Sequence, residues 1–186
     1  MGKQPRSTAP RTQLVLILVI ALTSLGGAYL LFYLTRDGGL WGTVNQGAFV
    51  DPPVNARDLA VRTASGERFE PGGTWWLWVV PQDGCADACR DALQQLRQLH
   101  VLLNRDAARV RRALLTEPVS GSAGADVELT RRYPRLELLS GNLAGLQRGI
   151  YVVDPIGNLV FHYPLEDAGA AVLDDLKRLL KVSQIG

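Results

Sequence analysis

Cysteine and histidine are scarce in this chain, two of each among 186 residues, and methionine occurs once. Two thiols allow one bridge, one redox couple or one pair of soft metal ligands. A basic excess is also missing once the N-terminal segment is set apart. Of 20 Lys and Arg against 18 Asp and Glu, residues 1–37 hold Lys3, Arg6, Arg11 and Arg36 against Asp37. The remainder carries 16 basic and 17 acidic side chains. The formal charge therefore belongs to the N-terminal segment, and a nucleic-acid partner loses its electrostatic basis. There is no internal repeat and no low-complexity tract. Beyond residue 37 roughly 150 residues remain, enough for one compact domain and too few for two.

Charge is wholly absent from Leu14 to Leu34, LVLILVIALTSLGGAYLLFYL, a run of 21 residues. As a helix at about 1.5 Å per residue it spans a hydrocarbon core of about 30 Å. The run exceeds the usual signal-peptide core of about 7–15 residues and has no Ala-x-Ala cleavage site behind it. It is read as a retained transmembrane helix, with Tyr29, Tyr33 and Trp41 suited to an interfacial belt. Basic residues and the amino terminus precede it, whereas only Arg36 follows closely, beside Asp37. The positive-inside rule leaves residues 1–13 in the cytoplasm and exports the globular part. In a bacterium this makes a single-pass inner-membrane protein with its folded domain in the periplasm. Residues 35–57 read as a linker, broken by Gly38-Gly39, Gly42, Gly47 and Asp51-Pro52-Pro53, and residues 58–186 as the domain.

Within that domain the elements alternate. Leu59–Arg62 and Arg68-Phe69 flank Ser65-Gly66 as a hairpin. Thr74–Val80 lacks polar alternation and reads as a central strand covered on both faces. A helix is expected from about Asp87 to Asn104, its stripe made by Leu93, Leu96, Leu99, Leu102 and Leu103. Strands follow at Val110–Thr116 and Leu136–Leu139, around a short helix at Ala125–Tyr133. Gly149–Asp154 and Leu159–Tyr163 flank the turn Pro155-Ile156-Gly157-Asn158. A helix from Asp167 to Val182 closes the chain, with Ala171, Leu173, Leu176, Leu179 and Leu180 facing inward. The order predicts an α/β fold, a thioredoxin-like mixed central sheet flanked by helices and preceded by one N-terminal transmembrane helix.

The chemistry concentrates at Gly84-Cys85-Ala86-Asp87-Ala88-Cys89, between the Trp-rich strand and the first helix of the domain. A spacing of four sets Cys85 and Cys89 one helical turn apart, within disulfide reach. A helix N-terminus stabilises a thiolate, and the same sulfurs suit Cu(I). A structural bridge closing so small a loop would constrain the unfolded chain little. Redox dithiol, thiolate metal site and structural pair are the three readings.

With the Trp-rich strand, Cys85-Ala86-Asp87-Ala88-Cys89 and the distant Tyr151-Val152-Val153-Asp154-Pro155-Ile156-Gly157, the chain resembles the Sco/SenC family over residues 57–182. The resemblance implies a membrane-anchored thioredoxin-like protein acting in copper delivery and cysteine reduction during assembly of cytochrome c oxidase. Cys85 and Cys89 would be its catalytic thiols and its Cu(I) ligands, and its partner an exported protein such as an oxidase subunit or a copper chaperone. Two departures bear on this. Ala86 stands where the family usually has proline. The loop Ser140–Gly149, where the family carries its third copper ligand, contains no histidine. His100 lies eleven residues beyond Cys89, about 16 Å along the helix, and His162 reads as a surface or edge-strand residue. The balance moves to thiol chemistry, with Cys85 attacking and Cys89 resolving. Arg148, in the same loop, is expected to approach the cysteines and favour a thiolate. Trp75, Trp76 and Trp78 read as packing on both strand faces, with one available to shield the thiols. Arg109, Arg111 and Arg112 read as a solvated edge.

Overall fold

The computed structural model describes residues 9–35, 44–81, 84–118 and 123–183. Trp41, Lys3, Arg6 and Arg36 lie outside the described residues. The chain forms two units, residues 1–44 and 45–186. The first holds helix α1, Ala9–Thr35, whose stretch Arg11–Leu34 is long and apolar enough to cross a membrane. The side chains along this stretch are exposed within the unit, as a lipid-facing helix requires.

The second unit is a seven-stranded sheet. Its strands are β1 (Ala48–Asn55), β2 (Arg62–Thr63), β3 (Trp75–Val80), β4 (Val110–Thr116), β5 (Leu136–Ser140), β6 (Gly149–Val153) and β7 (Asn158–Tyr163), in spatial order β1-β7-β6-β3-β4-β5-β2. β3, β4 and β5 run parallel, and β6 turns back antiparallel beside β3. The sheet is mixed, as the element order predicts. Every residue of β3 is buried. Trp75, Leu77 and Val79 face one core, and Trp76, Trp78 and Val80 face the other.

The first core is roofed by α2 (Asp87–Leu102) and α4 (Ala170–Val182). Leu93, Leu96, Leu99 and Leu103 are buried there, whereas Leu102 is turned to solvent, 60% exposed. At 100° per residue, Leu102 is carried off the stripe that Leu99 and Leu103 keep. Along α4 the deepest residues are Val172, Leu176 and Leu180, while Ala171, Leu173 and Leu179 flank them half-buried. The second core is closed by the segment holding Ala56, Leu59, Val61 and Phe69, with Leu143 and Leu146 alongside. Helix α3 spans Ala123–Arg132.

Three expectations change. Residues 48–55, read as linker, form the edge strand β1, with Phe49 opposite Phe161 and Val54 opposite Leu159. The prolines are tolerated because an edge strand needs ladder bonds on one side only. The hairpin expected at 59–69 reduces to one bridge, Arg62 to Arg68, and β2 pairs instead with β5. The three arginines of 109–112 do not share one solvated edge. Only Arg111 is exposed, paired with Glu137 at 3.1 Å. Arg109 donates to the carbonyls of Leu180 and Ser183 at the end of α4, and Arg112 is buried at 5% exposure.

Candidate functional site

The cysteine site is built at the C-terminal end of β3. A buried apolar strand ends at Val80, Gly84 turns the chain at φ +71°, and α2 starts at Asp87. A left-handed φ suits glycine because it carries no Cβ. Cys85 and Cys89 are joined by a disulfide with Cα atoms 5.1 Å apart, so the spacing of four does bring the two sulfurs together. Cys89 lies in the first core at 2% exposure, in the first turn of α2. Cys85 is half-exposed and packs against the same core from the loop. The bridge therefore has one sulfur-bearing residue accessible and one fixed.

Ala86 caps α2 in extended conformation and supplies no side-chain acceptor. The first-turn N–H groups are thus not taken up by a capping side chain, and they and the helix dipole favour negative charge at this end. A thiolate released by reduction would sit in that field. Asp87, in the first turn rather than at the cap, opposes it with a negative charge. That charge is held outward by Arg90 in an exposed pair.

Neighbouring elements fix the site. β6 enters beside the end of β3, Val80 opposite Gly149, which places the backbone of Arg148 next to the strand end that leads to the cysteines. Its side chain is exposed and makes no hydrogen bond or ion pair among the described residues. A Cβ on Gly149 would strike the Tyr163 carbonyl and the His162 ring, so glycine is what lets β6 and β7 close here. Tyr133 at the end of α3 is buried and donates from its hydroxyl to the Arg90 carbonyl at 3.1 Å, clamping the first turns of α2. No sequence signal marked Tyr133 or Gly149: each acts through a neighbour distant along the chain.

Of the two histidines, His100 stands about three helical turns beyond Cys89. His100 is in the last turn of α2. His162 lies opposite Tyr151 in the β6–β7 ladder, ring centroids 4.9 Å apart, and its Nε2 is 3.1 Å from the Arg148 carbonyl. Tyr151 belongs to the second core, so His162 shares the sheet face that α2 does not cover. Trp76 and Trp78 are on that face too, edge-on to Phe69 at 4.9 and 5.2 Å, and Trp75 is at the opposite end of β3. None of these three tryptophans shields the thiols. Among the described residues no group of three or more His, Cys, Asp or Glu could hold a metal ion.

A family model described as a transmembrane-like, thioredoxin-like, C-terminal domain matches residues 75–183. No curated protein matches the sequence. Among solved structures, apo Sco1 from Thermus thermophilus is similar at TM-score 0.57 and 20% identity, over 76% of this chain and 99% of that one. Bradyrhizobium japonicum ScoI with copper bound is similar at 0.50 and 20%, over 64% and 96%. BsSco, described through a disulfide switch and as a member of the Sco family of cytochrome c oxidase assembly proteins, is similar at 0.50 and 14%, over 75% and 97%. At these identities the likeness is one of fold, and it agrees with the resemblance drawn from the cysteine motif and the Val-Asp-Pro turn.

Proposed function

The chain belongs to the family described as a transmembrane-like, thioredoxin-like, C-terminal domain, and from that premise we propose a membrane-anchored thiol–disulfide protein that works through Cys85 and Cys89. The observation that carries the reading is the Cys85–Cys89 bridge at a helix N-terminus without a capping side chain, one cysteine half-exposed and the other buried. In the reduced form the Cys85 thiolate attacks a disulfide of an exported partner. One partner sulfur joins Cys85 and the other leaves as thiolate. The Cys89 thiolate then attacks the Cys85 sulfur, restoring the intramolecular bridge and releasing the partner with both thiols reduced. Two electrons pass to the partner, and an external dithiol must return them.

The proposed setting is the bacterial periplasm, with residues 1–13 in the cytoplasm and residues 14–34 across the inner membrane. The proposed partner is a cysteine pair of a respiratory oxidase copper site, suggested by the oxidase-assembly role stated for BsSco. A second reading takes its support from the copper-bound ScoI: the two thiols, once reduced, offer two soft ligands to Cu(I) as cargo. The residues present do not complete a three-ligand site. The Ser140–Gly149 loop has no histidine and His162 sits on the other sheet face, so thiol exchange is the preferred reading.

A Cys89→Ser variant in the native membrane tests it. The expected outcome is a mixed disulfide from Cys85 to an exported protein, identified by mass spectrometry and lost on reduction. A variant that accumulates no such adduct contradicts thiol exchange. Stoichiometric Cu(I) uptake by the anaerobically reduced chain, abolished in Cys85→Ser, would establish metal carriage instead, and neither behaviour would leave a scaffold.

A further inference from the structure

At the other end of the sheet, β4 begins before its neighbour does. Val110 already pairs with Trp75 of β3, but the β4–β5 register starts only at Arg112 opposite Leu136. The missing stretch of β5 leaves a cleft of about 370 Å³, lined among others by His100, Val110, Arg111, Arg112, Arg135 and Glu137. Arg111 and Glu137 neutralise each other at 3.1 Å. Arg112 and Arg135 have no acidic partner among the described residues. The Arg112 guanidinium donates to the Pro134 carbonyl at 3.2 Å, and among the described residues the rest of its donor fork has no acceptor. Arg135 is held at φ +66° at the rim. His100 Nδ1 is buried without a partner among the described residues.

A buried guanidinium with one neutral acceptor is costly unless an anion completes its shell. Three donor groups converge on the cleft: two guanidinium forks and an imidazole. A carboxylate has two oxygens to offer them; a tetrahedral oxyanion has three or more, and arginine forks match that geometry. We infer that this cleft binds a tetrahedral oxyanion, a phosphate group on a small molecule or a lipid head, between Arg112, Arg135 and His100.

The local electrostatics agree. Burial, then Arg112 and Arg135, hold His100 below the ordinary imidazole value, so it is neutral near pH 7. Burial, then Arg97 and Arg135, push Arg112 down as well. The Arg112 and Arg135 guanidiniums repel one another across a cleft whose lining holds one carboxylate, Glu137, already engaged by Arg111. An anion would relieve that repulsion. The site lies apart from the cysteines, since β3 and α2 carry them at the sheet's C-terminal end and His100 is eleven residues further along α2.

Calorimetric titration of the full chain in a neutral detergent, at fixed ionic strength, tests the assignment with inorganic phosphate and acetate as probes. The expected result is saturable one-site binding of phosphate, with acetate weaker by roughly tenfold or more. Arg135→Gln, an exposed position, should weaken phosphate roughly tenfold and leave the ligand-free melting temperature unchanged; Arg57→Gln should leave both phosphate binding and melting temperature unchanged. Arg112→Gln alters a buried side chain, so Arg135→Gln is the deciding variant if Arg112→Gln does not fold. Absence of saturable phosphate binding, equal binding of acetate, or wild-type binding by Arg135→Gln overturns the proposal. Dihexanoyl phosphatidate then separates the sources: binding roughly tenfold tighter than phosphate identifies a lipid head, and equal or weaker binding a soluble phosphate, each in support of the site.

Discussion

Asp175 is 2% exposed, yet it sits in a helix whose neighbouring faces are apolar or solvated. Its Oδ2 accepts the backbone N–H of Gln46 at 2.7 Å and of Gly47 at 2.9 Å, and the Tyr163 hydroxyl at 2.8 Å. Arg178 stands 3.5 Å from the other oxygen, an ion-pair distance without a hydrogen bond. Burial first, and then the bond to Asp175, push the Tyr163 hydroxyl well above the ordinary phenol range. This carboxylate fastens the segment entering the domain to α4 and β7. Asp175→Ala strands three donors, those of Gly47 and Tyr163 buried, and should cost about 3 kcal/mol or more in urea unfolding, against about 1.5–3 for Tyr163→Phe. Equal small losses in both variants would show that the carboxylate fastens nothing.

His100 gives a second test at this scale. Its folded value is lowered from 6.5, so the unfolded chain binds a proton that the folded chain resists. The stability this contributes is complete above about pH 6.5 and is lost as pH falls from there toward the lower folded value. Unfolding free energy measured between pH 7.5 and 5 should fall more steeply for the wild type than for His100→Gln. Parallel curves would contradict the neutral, half-buried assignment. Sequence could not separate Arg112 from Arg111: both lie in one apolar strand, and which faces inward depends on pairing with β3 and β5. The same holds for Asp175, whose partners lie more than a hundred residues away or on another element.

Among the elements, those whose signal is local were legible. The unbroken apolar run of β3, the leucine stripe of α2 and the Asp-Pro-Ile-Gly turn between β6 and β7 follow from periodicity and turn chemistry. Asp154 Oδ1 accepts the N–H groups of Ile156 and Asn158 at 2.9 and 2.8 Å, which is why that turn reads so clearly. β1 was not legible because Pro52 and Pro53 mimic a linker, and only its register against β7 reveals a strand. Two variants weigh these elements. Leu96→Ala, at a position with no exposed surface, should cost about 2–5 kcal/mol in denaturant unfolding. Gly149→Ala drives a methyl into the Tyr163 carbonyl and the His162 ring. It should cost about 1–3 kcal/mol and loosen the β6 approach to the cysteine loop, detected as faster amide exchange of Ile150. A stability unchanged by Gly149→Ala would mean that β6 and β7 do not close as tightly as described.

Across the whole domain, the two ends of one sheet carry different chemistry. The C-terminal ends of the parallel strands present the cysteine pair, the position that sequence alone identified from a strand, a glycine turn and a helix start. The N-terminal ends present an unneutralised basic cleft, invisible in sequence because its residues come from α2, β4 and the turn before β5. The central claim concerns the first end: the Cys85–Cys89 bridge is a working couple and not a staple. Equilibrium titration of the full chain against reduced and oxidised dithiothreitol, read by thiol alkylation and mass, measures this directly. A single two-electron transition above about −300 mV is the result expected of an exchangeable bridge, whereas a pair still oxidised well below that potential would mark a structural disulfide and contradict the account.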